Sequence, residues 1–165
     1  MTYIVPTRKP TNFPALTSRD SDNAAWPIGY PRVIQLQAAA ALLIGDAVYC
    51  DADAKAAKSG TAADYLKVLG IVVGGDSFSK QGEVAFTSSS VGLSAAATDE
   101  IVLVATFGSV VYAMAGAAIT KGARVGIDAT SGRVDDSASN LFGIALETGV
   151  DGSAVKIYIN TFEAA

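Results

Sequence analysis

The chain has 165 residues, half of them hydrophobic and 17% charged, with a net charge of −4. A domain of this length buries roughly 70% of the surface its unfolded chain exposes, so it needs no disulfide or metal to fold. The absence of histidine removes the usual general base, the Ser-His and Cys-His nucleophiles and the His-containing zinc sites together, which weighs against catalysis.

The isoelectric point near 4.7 offers no broad basic surface for phosphates and argues against a nucleic-acid partner. No apolar run reaches the roughly 18 residues of a membrane helix, and "MTYIVPTRKP" has no signal-peptide core. A soluble chain with no membrane partner and no cofactor is expected. Cys50, alone and flanked by apolar residues in "AVYCD", is expected to be a small core side chain.

The first element is residues 1–31, which hold all five prolines. Proline removes a backbone donor and biases its neighbourhood toward extended conformations, so neither a helix nor an interior strand is expected. Apolar and aromatic residues run through the stretch, including the only tryptophan, and a purely disordered tail would be poor in them. An extended docking arm is expected, with Tyr3, Arg8, Lys9, Phe13, Trp26 and Tyr30 as its candidate contacts. Through Arg32 the arm carries a net +2, from Arg8, Lys9, Arg19 and Arg32 against Asp20 and Asp22, which leaves −6 on the rest. This opposition favours docking on an acidic surface of its own oligomer or of a partner.

From residue 32 to 165 the chain is a succession of strand-length runs rich in Val, Ile, Tyr and Phe: "RVIQLQ", "DAVYC", "YLKVLGIVV", "GEVAFTS", "EIVLVATF", "SVVYAM", "ARVGID", "LFGIAL" and "AVKIYIN". Several alternate as half-buried strands do, so an all-β body is predicted. "DADAKAAKSGTAADYLK" is the competing signal, read as a short helix over 53–58 or a loop. "SSS" at 88–90, with "SAAATD" after it, reads as a flexible loop. "ATSG" at 129–132 and "GVDGS" at 149–153 read as hairpin turns.

"LLIGDAVYCD" and "ITKGARVGID" are the same phrase 77 positions apart, and residues 33–54 and 110–131 agree at eight of 22 positions. The match resumes where "LGIVVGG" answers "FGIALETG", with a connection four residues shorter. Alanine inflates such matches, so the weight falls on Gly45, Val48, Asp51 and Gly70 with their counterparts Gly122, Val125, Asp128 and Gly143. Two duplicated, small sheet-like or barrel-like halves are predicted, about 32–90 and 101–162, because one such sheet alone leaves an apolar face and its edges unsatisfied. The repeated glycines and aspartates are read as structural corners.

No catalytic or metal constellation emerges. "GGDSFS" at 74–79 has the Gly-Asp-Ser order of some serine esterases, yet no base is present to take the Ser77 proton. The phosphate-loop spacing is absent. Asp51 with Asp53, and Asp135 with Asp136, lack calcium-loop spacing and read as solvated loop acids. A carboxylate enzyme would need Asp128 and Asp135 to converge, and a carbohydrate-binding module would use Trp26 and Tyr30 as a stacking platform.

The stretch "IVLVATFGSVVYAMAGAAITKGARVGIDATSGRVDDSASNLFGIALETGVDGSAVKIYIN", residues 101–160, resembles the capsid decoration, or cement, proteins of tailed bacteriophages. The features that carry the likeness are a strand pair, Ala-Ala-Ile-x-x-Gly, a strand, an Asp/Gly turn, "GIAL" and a final "VKIYI" strand. "AAALLIGDAVYCD…VLGIVVGG" is a weaker version. The resemblance implies a non-enzymatic β protein made in the host bacterium, often a homotrimer, that sits on the outer capsid surface and bridges major capsid protein subunits. A tail or baseplate component is the alternative, since those also use small oligomerising β domains.

Overall fold

The computed structural model describes residues 32–58, 68–80, 87–128, 131–136 and 140–164. The elements in chain order are β1 (Val33–Gln37), β2 (Leu42–Leu43), β3 (Ala47–Cys50), β4 (Ala56–Lys58), β5 (Val68–Gly75), α1 (Asp76–Lys80), a 3-10 turn (Ser88–Ser90), β6 (Ser94–Ala96) and β7 (Ile101–Ala105). They continue with β8 (Val110–Met114), β9 (Arg124–Ile127), β10 (Val134–Asp135), β11 (Asn140–Ala145) and β12 (Ala154–Ala164). The protein is all-β, as the apolar alternation predicts. On β12, for instance, Val155, Ile157 and Ile159 are buried and Lys156, Tyr158 and Asn160 are half-buried.

Two five-stranded antiparallel sheets carry the fold, in the orders β1-β7-β5-β3-β4 and β8-β12-β11-β9-β10. Taken strand by strand, the order is the same. Each sheet curls so that the end of its first strand meets its last. Ala38 bridges Ala56, and Ala39 N donates to Ala56 O at 2.8 Å; Ala115 bridges Val134, and Gly116 N donates to Val134 O at 2.8 Å. The turn at Gly45 (φ 90°) recurs at Gly122 (φ 86°), a backbone region that glycine enters without steric cost. Gly45 N donates to Val72 O and Gly122 N to Ala145 O.

The strand at Ile101–Ala105, which the sequence reading places at the head of the second half, lies between β1 and β5 in the first sheet. It occupies the place that β12 holds in the second sheet. Of the strand-length run "GEVAFTS", residues 82–86 lie outside the described residues, and Thr87 caps the 3-10 turn that begins at Ser88. Physically, a strand's sheet is decided by which edge its hydrogen bonds meet, and β7 meets β1 and β5 after the long excursion at 76–100. The second sheet replaces that excursion with the short connection 146–153.

Three local expectations are corrected. Residues 53–58 form neither a helix nor a loop throughout. Asp51 Oδ1 accepts from Asp53 N at 3.0 Å and Lys55 N at 2.8 Å, Ala54 takes φ 60°, and Ala56–Lys58 then pairs with β3. A side-chain acceptor that closes a turn outcompetes alanine's weak helix preference. "SSS" and "SAAA" are not a floppy loop, because Ser90, Ala95 and Ala96 are buried, the two alanines in the first sheet's core. Cys50 is exposed, at the last position of β3, where the strand's burial gives out.

The first sheet's core joins Leu42, Ile44, Val48, Val72, Phe78, Val102 and Val104. The second cluster gathers Val111, Val125, Phe142, Val155, Ile157 and Ile159, and takes in Ala47, Val68, Ile71 and Ala105 from the first sheet. Met114 N donates to Gly45 O across the junction at 3.2 Å.

One buried carboxylate belongs to the first half alone. Asp46, 3% exposed, accepts from Leu43 N at 2.9 Å and pairs with Lys58 Nζ at 2.7 Å. Its counterpart in the repeat register is Ala123. Asp46→Ala strands the part-buried Leu43 N–H and removes the partner of a part-exposed ammonium, so it should cost about 2 kcal/mol. Asp46→Asn keeps one acceptor and should cost less; chemical denaturation of both variants checks the order.

Candidate functional site

The groups weighed for chemistry are occupied in structural roles. Ser77 Oγ donates to Glu100 Oε2 at 2.5 Å, and the same oxygen accepts from Ala97 N at 2.9 Å. Ser77 stands in α1. Asp51 closes the β3–β4 corner, and Asp128 closes the β9–β10 corner by accepting from Ser131 N at 2.9 Å and Ser131 Oγ at 2.6 Å. These two aspartates also match in the main chain: Asp51 N donates to Lys55 O and Asp128 N to Arg133 O, both at 2.9 Å. Asp136 Oδ2 accepts from Thr120 N at 3.4 Å. Among the described residues no three His, Cys, Asp or Glu side chains come together as a metal site, and no helix is long and apolar enough to cross a membrane.

What the described residues present instead is surface. Leu43, Ile101, Phe107, Leu146 and Val150 are exposed, Val150 at 63%. On the outer face of the second sheet Tyr158 stands opposite Ile144, and Lys156 opposite Tyr112 with its ammonium 5.1 Å from the ring centre. A cation over an aromatic face is attractive at this range and holds the two side chains flat on the sheet. In the first half Lys55 Nζ meets Asp99 at 2.5 Å. The hydrogen bond first, and the charge second, raise the lysine above its ordinary value.

The point from which residues 1–31 leave is held firmly. Arg32 N donates to Ser109 Oγ at 2.9 Å, and Arg32 O accepts from Thr106 N at 2.7 Å and Thr106 Oγ1 at 3.0 Å. Ser109 is buried. Arg32, just before β1, is thus pinned to the segment that links the two sheets, beside the exposed Phe107.

Tyr3, Arg8, Lys9, Phe13, Trp26 and Tyr30 lie outside the described residues. Gly45 and Gly122 occupy equivalent turns, and Asp51 and Asp128 equivalent corners. Gly70 and Gly143 occupy equivalent close approaches, to Ala105 O and Tyr158 O. The sequence reading missed Phe107, Ser109, Ile144, Leu146 and Tyr158. The repeat itself held the missing signal: Ile71 answers Ile144 and Val73 answers Leu146, so comparing burial across the register separates a covered face from an open one.

Residues 67–160 match a protein family described as phage cement protein. The matched span begins just before β5 and runs through most of β12. Among solved structures, the N base of head fiber gp8.5 in bacteriophage phi29 aligns with a TM-score of 0.46 and 16% identity, over 78% of this chain and 92% of that one. No curated protein matches the chain.

Proposed function

The chain belongs to the phage cement protein family, structural proteins of the phage capsid, and on that premise we propose that it binds the outer surface of an assembled shell and bridges neighbouring major capsid protein subunits. We read it as a non-enzymatic homotrimer whose 1–31 arm supplies the principal capsid contacts. The observation that carries this reading is the family match over more than half of the chain. The pinned arm root supports it, because an extended segment that leaves a fixed point can run along a groove or add to a sheet edge that exists only after shell assembly. Three copies on three equivalent sites would make the later contacts intramolecular and raise avidity without new contacts.

Cosedimentation of the full chain with assembled shells of its major capsid protein tests the reading. Saturable binding to the closed shell, and none to unassembled subunits, is the expected result. Binding to isolated tails with none to shells would overturn it.

A further inference from the structure

Among the described residues, the contact between the two sheets has an unfilled counterpart on each sheet. Inside the chain, Met114 N on β8 donates to Gly45 O, and Ala47, Val68 and Ile71 on the first sheet are buried in the second sheet's cluster. In the repeat register Met114 answers Gln37, Gly45 answers Gly122, Ala47 answers Arg124, Val68 answers Leu141 and Ile71 answers Ile144. Ala105 answers Tyr158, since these supply the carbonyls that approach Gly70 and Gly143.

Among the described residues both counterpart surfaces are uncovered. Gly122, Arg124 and Leu146 are exposed, and Leu141, Ile144 and Tyr158 are half-buried. A side chain placed on Gly122 would meet nothing within 4 Å, whereas one on Gly45 would meet Val91 at 2.8 Å and Met114 N at 3.0 Å. On the other surface, Ile34 and Leu36 are half-buried where their counterparts Val111 and Ala113 are fully buried. Among the described residues β1 ends its sheet with no strand on its outer edge. Arg32 O and Ala38 N bond toward β7, so by antiparallel alternation the N–H groups of Val33, Gln35 and Gln37 point to that outer edge.

We propose that copies of this chain associate head to tail, the β1 edge of one copy docking on the Gly122, Ile144, Leu146 and Tyr158 face of the next, with Gln37 N donating to Gly122 O. The interface repeats between chains the contact already made within one. A surface and its complement on opposite ends of one molecule form a heterologous contact, which closes into a ring when the rotation per copy allows. The bare strand edge and the apolar patch would each be a liability if left uncovered. This interface rests on the homotrimer reading and gives it a surface; it contains no capsid residue, so capsid binding can fail or hold independently of it.

The test uses the full chain and two variants, one for each surface. Gln37→Pro removes the edge donor at a position where proline is tolerated, and Ile144→Asp with Leu146→Asp charges the opposite face. Analytical ultracentrifugation should give an oligomer for the parent chain and monomers for each variant, with far-ultraviolet circular dichroism unchanged and melting lowered only by the loss of association. An equimolar mixture of the two variants should give a dimer of twice the monomer mass, because each retains one intact surface. A monomeric parent chain, variants that keep the parent's mass, or a mixture that stays monomeric would each overturn the proposal. An oligomer that survives both variants but dissociates on removal of residues 1–31 would assign association to the arm instead.

Discussion

Gly70→Ala is expected to be the most damaging single methyl group that can be added to this fold, at about 4 kcal/mol. A Cβ at that position would stand 2.0 Å from Ala105 O and 2.9 Å from its carbonyl carbon. The obstacle is backbone in a neighbouring central strand, so the clash can be relieved only by parting β5 from β7. That would disturb the first sheet at its middle, where β5 also pairs with β3. Gly143→Ala meets the equivalent carbonyl, Tyr158 O, at a more lenient 2.8 Å and should cost about 2 kcal/mol. Gly122→Ala meets nothing within 4 Å but keeps φ 86°, a strain of about 1 kcal/mol. Urea denaturation at matched protein concentration reads the series. An inverted order, with Gly122 the most sensitive, would mean that the equivalence of Gly70 and Gly143 is misjudged.

Removing residues 1–31 is expected to weaken attachment to assembled shells by at least about a hundredfold, some 2.7 kcal/mol, because buried aromatic anchors dominate most interfaces. Trp26→Ala alone should account for about 2 kcal/mol of the loss, with Phe13→Ala and Tyr3→Ala contributing less. Arg8→Ala and Lys9→Ala should act mainly through the association rate and lose their effect at high salt. The pinned Arg32 makes the deletion clean: the bonds to Ser109 and Thr106 lie on the body side of the cut. Melting of the truncated chain should therefore match the parent. Full-strength binding by the truncated protein would take the arm out of the account and place the capsid contacts on the body.

Most of the strands were legible because their signal is local. The alternation of Val155, Ile157 and Ile159 with Lys156, Tyr158 and Asn160 reports one buried face directly. The 77-residue repeat was legible for the same reason, since Gly45 and Gly122 answer a backbone requirement that no other residue meets as cheaply. The misreadings fall where a distant partner decides. Alanine and lysine at 54–58 favour a helix in isolation, yet Asp51 closes a turn and β3 offers a pairing edge. The alanines at 95 and 96 looked like loop filler, and are buried because the excursion after α1 folds back over Leu42, where β6 pairs with β2.

By itself the sequence determined that the chain is built of short strands, that it carries the same corner twice, and that its first 32 residues hold all five prolines, the one tryptophan and a net positive charge ahead of an acidic remainder. Those properties follow from side-chain periodicity, glycine's access to positive φ, and composition. The tertiary structure alone decided that Ile101–Ala105 completes the first sheet rather than beginning the second. It also decided that Gly70 and Gly143 matter for the carbonyls they approach rather than for their φ, and that, among the described residues, one apolar face is covered and its counterpart is not. Each of these depends on which distant backbone group arrives within hydrogen-bonding or van der Waals range, and no window of sequence contains both partners.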